Sequence, residues 1–158
     1  MKIDAIINEK ALKAKAKTEM LSQLLLDKKI STEELIAFAQ TAKDSPKATC
    51  IESLEFATKQ NASIANEKCL QFVTQSLTGK DPRVKWESAK VIGNIAHLFP
   101  TKLAKAIGNL LTNSEYNGTV VRWAAAFALG EILKLKTKHN KEFVSKLPIA
   151  LSSFVGKR

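Results

Sequence analysis

Val84-Lys85-Trp86 returns as Val121-Arg122-Trp123, and the match runs on without a gap. Ala89, Ile92, Gly93 and Ile95 correspond to Ala126, Leu129, Gly130 and Ile132 at an offset of 37 residues. A fainter copy, IESLEFAT at 51–58, lies 35 residues before 86–93. There Ile51 takes the tryptophan's place and Glu55 that of Lys90. A period of this length is that of a helix pair. One pair cannot bury its apolar side alone, so neighbouring pairs must stack to make a core.

The rest of the chain agrees with such a plan. Apolar residues recur at helical spacing throughout, and no stretch alternates as a strand would. Ser31 before Glu34 is a capping-box pattern. Pro46, Pro82 and Pro100 stand near helix starts, where a missing N–H costs nothing. Asn117-Gly118 and KTKHNKEF mark polar breaks. These signals predict helices over 4–16, 18–27, 32–43, 46–59, 62–77, 82–98, 101–112, 119–136 and 140–154. The short loops between them favour antiparallel neighbours.

A composition of 45% hydrophobic residues with 6 Gly and 4 Pro is that of a folded chain rather than a disordered one. No apolar run approaches the roughly 20 residues of a bilayer span. MKIDAIINEK lacks the apolar centre of a secretory signal. A cytoplasmic protein without membrane insertion is therefore expected. Cys50 and Cys69 are isolated thiols, and His97 and His139 lack metal-ligand spacing, so neither metal nor cofactor is expected. No phosphate loop or nucleophile elbow occurs, which argues against an enzyme. The carboxylate pairs Glu33-Glu34 and Glu52–Glu55 read as solvated helix faces.

The charge is uneven. Residues 1–79 carry 11 Lys and Arg against 10 Asp and Glu, whereas residues 80–158 carry 14 against 5. The half with the two clear copies thus holds nearly all of the net charge of +10. An acidic partner is the natural expectation: nucleic acid, an acidic protein face or a membrane surface.

At DPRVKWESAKVIGNIA and NGTVVRWAAAFALGEI the chain resembles the HEAT-repeat family, whose pattern is an Asp-Pro-like turn, Val-Arg, alanines and an aliphatic-Gly pair. The match is specific in these two copies, looser over 46–77 and absent by motif over 1–45. The resemblance implies an all-α superhelix, or solenoid, of stacked antiparallel helix pairs in one domain over 1–158. Residues 1–45 would be divergent capping helices and 46–158 the repeats. It implies that the second helix of each pair lines a concave face. Pro148 resembles the proline common in the family's first helices. The family's Asp is Asp81; the next copy has Asn117-Gly118 in that place. The family's usual role is that of a scaffold for a protein partner. Some DNA glycosylases are built from similar repeats, with tryptophans and an acidic residue in a positive groove. No motif ties Asp81 or Glu87 to that role.

On a wheel of about 100° per residue, Val84, Ser88, Val91, Ile92, Ile95 and Leu98 form a core stripe. Ala89, Gly93 and Ala96 beside it are small enough for close approach of a neighbour. Lys85 borders the core four residues after Asp81, a spacing that allows an ion pair. Asp81, Lys85 and Arg122 are read as braces between repeats. Trp86 points away from the stripe with Arg83, Lys90 and His97. Trp123 and Phe127 do the same with Lys134 and Lys138. The tryptophans either pack on a preceding repeat or join these cations in a partner surface, for a protein or an unpaired base. The stretch KEFVSKLPIALSSFVGKR reads as a first helix without a second, its apolar side covered by self-association or a partner.

Overall fold

The computed structural model describes residues 2–146, and these are all-helical. The helices are α1 (Lys2–Asn8), α2 (Ala14–Leu26), α3 (Thr32–Gln40), α4 (Asp44–Gln60), α5 (Glu67–Ser76), α6 (Pro82–Ile95), α7 (Ala104–Asn113), α8 (Thr119–Leu133) and α9 (Asn140–Ser145). α2, α4, α6 and α8 form one row, each against the next. α1, α3, α5 and α7 form a second row, with α3 on α4, α5 on α6 and α7 on α8. The core includes Leu21, Leu35, Ile51, Leu54, Leu77, Ile92, Ile95, Leu103, Leu110 and Leu129, all fully buried. Burial of each such side chain stabilises by about 1.5–3 kcal/mol over leaving it in water.

Local signals set the helix starts. Ser31 Oγ accepts from Glu34 N at 3.0 Å and the Glu34 carboxylate accepts from Ser31 N at 2.7 Å, the full capping box of α3. Asp81 caps α6, accepting from Val84 N at 3.0 Å, with Pro82 next in line.

Several expected boundaries shift. The break between the first two helices falls at residues 9–13, not at 17. Glu9 accepts from Ala11 N at 3.0 Å, and Lys17 Nζ reaches back to Ile7 O at 2.6 Å across the turn. The helix expected over 62–77 is divided. A 3-10 turn at Ala62–Ile64 gives way to extended backbone, and Asn66 then caps α5 by accepting from Cys69 N at 3.0 Å.

The helix expected to Leu98 ends at Ile95 and tightens into a 3-10 turn over Ala96–Leu98. The change of pitch moves Leu98 off the core stripe and leaves it 40% exposed. α8 stops at Leu133 because Lys136 takes a φ of 55°, which turns the chain away. Of the last expected helix, α9 covers Asn140–Ser145; Pro148 and the proposed self-association segment beyond it lie outside the described residues.

Candidate functional site

α4, α6 and α8 place equivalent positions of the repeat side by side: Glu55, Lys90 and Phe127. Opposite charges therefore meet between the first two helices. Lys90 Nζ lies 3.4 Å from Glu55 Oε1 and 3.5 Å from Glu87 Oε1. Arg83 Nη2 is 3.0 Å from Glu52 Oε1, and the same oxygen accepts from Thr18 Oγ1 of α2 at 2.7 Å. Asn94 Nδ2 donates to Glu55 Oε2 at 2.8 Å. This polar seam ties α2, α4 and α6 together.

The pair Glu52–Glu55 is thus not a solvated face. Glu55 is buried and Glu52 half-buried, because α4 has α2 on one flank and α6 on the other. Glu33 and Glu34, by contrast, are exposed as expected, Glu33 accepting from Asn66 Nδ2 at 2.7 Å and Glu34 serving the capping box. Glu87 is buried as well. Its Oε2 accepts from Trp86 Nε1 at 3.2 Å, while its Oε1 has only the ion pair with Lys90. Burial pushes the Glu87 carboxyl above the ordinary carboxylate value; Lys90 opposes this, and Glu52 and Glu55 add to it. Burial works to lower Lys90, but Glu87 and Glu55 outweigh it and hold the amine above the usual lysine value.

Of the three expected braces, Asp81 and Arg122 act locally, whereas Lys85 reaches from α6 to α7 of the next pair. Asp81 uses its carboxylate as the cap of α6, so the pair with Lys85 that the spacing allows is not formed. Lys85 is buried and turns the other way. Its Nζ donates to Leu77 O at 3.0 Å and to Asn113 Oδ1 of α7 at 3.1 Å, with the Tyr116 ring centre 5.2 Å off. Burial lowers its pKa below the usual lysine value. Arg122 donates to Tyr116 O and Asn117 O at 3.0 and 2.9 Å, closing the turn before α8.

The two tryptophans differ despite their equivalent places. Trp86 is half-buried against the core, whereas Trp123 is 66% exposed. Phe127 lies over Gly93, and its ring occupies the space a Cβ there would take. Val120, Trp123, Ala124 and Phe127 of α8 border a cleft of about 350 Å³, with Glu55 and Lys59 of α4 and Lys90 and Asn94 of α6 opposite. Lys134 pairs with Glu131 one turn back at 2.6 Å. His97 and Lys138 do not share the stripe, since His97 lies in the 3-10 turn after α6 and Lys138 lies beyond the end of α8. Both are exposed.

Two larger depressions lie elsewhere. One, of about 690 Å³, runs along α3 and α5, where Lys47 already covers Phe72 at 5.7 Å and Glu33 is engaged. The other, of about 510 Å³, lies between α1 and α3. Among the described residues no cluster of three or more His, Cys, Asp or Glu is placed to hold a metal ion, and no helix is long and apolar enough to cross a membrane.

Asn94 is the site residue that reading the chain overlooked, while the chain alone reads Glu52 and Glu55 as a solvated face and gives Glu87 no role. The signal for them was present: Glu55 stands where the next copy has Lys90, and stacked copies bring such positions together. No protein-family model, curated protein or solved structure matches the chain.

Proposed function

We propose that the chain is a short HEAT-like solenoid of antiparallel helix pairs and a non-enzymatic module that binds a protein on the face shared by α4, α6 and α8. One observation carries this reading: Trp123 is 66% exposed in an otherwise well-packed helix, beside the half-buried Phe127. An exposed tryptophan on a rigid support is a frequent centre of protein–protein binding energy. The two rows of helices support the solenoid. The engaged carboxylates support a binding role over a glycosylase-like one, since Asp81 is held as a cap and Glu87 is buried against Trp86. The ion pairs of Arg83 and Lys90 weigh against a phosphate track along this face, because phosphate binding needs uncommitted cations.

Affinity capture from a lysate of the source cells, with the wild-type chain and Trp123→Ala/Phe127→Ala as baits, tests the reading. Proteins enriched by the wild type and lost with the double variant are expected, while Lys138→Ala keeps them. Identical profiles for all three baits, or nucleic acid as the material retained, would refute it.

A further inference from the structure

The cleft beside Trp123 has an edge and a floor of different character. At the floor, the cations are matched: Lys90 sits between Glu55 and Glu87, and Arg83 on Glu52. At the edge, Lys59 is exposed and makes no ion pair among the described residues. Lys134 stands outside the lining, seven residues past Phe127 at the end of α8, half exposed and paired with Glu131 of its own helix. Val120, Trp123, Ala124 and Phe127 supply a mainly apolar wall. The space suits one or two large side chains, and the wall is preformed, because Phe127 is seated over Gly93.

We propose that the occupant is an acidic amphipathic protein segment. It places an aliphatic or aromatic anchor in the cleft and its carboxylates on Lys59 and Lys134. This rests on the reading that the face binds protein. A phosphate backbone could use the same two lysines but leaves the apolar wall unfilled, and any longer track would have to draw Lys90 from the buried Glu55 and Glu87, which is costly. An acidic segment with an apolar anchor uses the surface as it stands. The excess positive charge of the chain also steers such a partner inward.

Calorimetric titration of the full chain, at low and physiological salt, decides the matter with four probes. These are a helical peptide of Glu with Leu and Phe anchors at helical spacing, the same peptide with Lys for Glu, the same with Ala for the anchors, and a single-stranded oligonucleotide. The acidic anchored peptide is expected to bind and shift tryptophan emission to the blue. The other two peptides are expected to bind at least about tenfold more weakly. Lys59→Glu with Lys134→Glu is expected to weaken the acidic peptide by a similar factor, with an unchanged melting curve showing that the fold is intact.

Equal or better binding of the lysine peptide overturns the proposal. So does failure of the acidic peptide to bind at low salt; if lysate capture still depends on Trp123, protein binding stands and only the partner class falls. Preference for the oligonucleotide over every peptide overturns both.

Discussion

Gly93 is small because Phe127 fills the volume beside it. A Cβ at Gly93 would overlap the Phe127 ring, so the repeated glycine has a packing reason on α6. Gly93→Ala is expected to destabilise by about 1–3 kcal/mol, the usual cost of overpacking a close contact. Phe127→Ala should relieve the clash, making the two changes non-additive in a urea-unfolding double-mutant cycle. Additive effects would show that the contact is not formed. The small strip Ala89-Gly93-Ala96 was legible in the chain as a seat for a neighbour. The identity of the guest was not, because Phe127 lies 34 positions away and corresponds to a lysine in the preceding copy.

The link between α4 and α6 gives a pH-dependent signature. Burial raises the Glu87 carboxyl above its ordinary value of 4.5, so the folded chain holds a proton that the unfolded chain has already released. The stability this contributes is full below that ordinary value and is lost as pH rises through the raised one. Glu87→Gln lacks this term. Its stability relative to wild type should therefore rise from about pH 4.5 towards neutrality; a flat difference in Tm across that range would refute it. Helix type and most helix starts were readable from caps, prolines and apolar spacing. The helix ends were less so. Whether α6 continues regularly past Ile95, or α8 past Leu133, depends on backbone turns that the apolar pattern does not encode. Helical phase carried past those ends misplaced Leu98, His97 and Lys138.

Across the whole molecule, Cys50 of α4 and Cys69 of α5 sit fully buried. Burial pushes both thiols up to about 12, with Glu33 adding to the effect at Cys69. Both are expected to resist a thiol reagent in the folded state and to react together when the chain opens in denaturant; fast labelling in native buffer would show local opening instead. The repeat made the stacking of like helices legible, since a shared offset brings shared positions side by side. It did not make the partition of charge legible. The basic half reads as a cationic face, whereas folding sets Arg83 and Lys90 against glutamates of the less basic half and leaves cations at the edge.

The seam between α6 and α8 differs from the one between α4 and α6. Among the described residues no side-chain hydrogen bond or ion pair crosses it, and the Phe127 ring sits over Gly93 within it. A ring seated in a notch resists sliding, and Ala125, Ala128, Leu129 and Ile132, all fully buried, hold α8 to the core around it. α8 is therefore held by shape rather than by charge. Its seat, and with it the wall at Trp123, is insensitive to salt, whereas the ion pairs between α4 and α6 are screened by it.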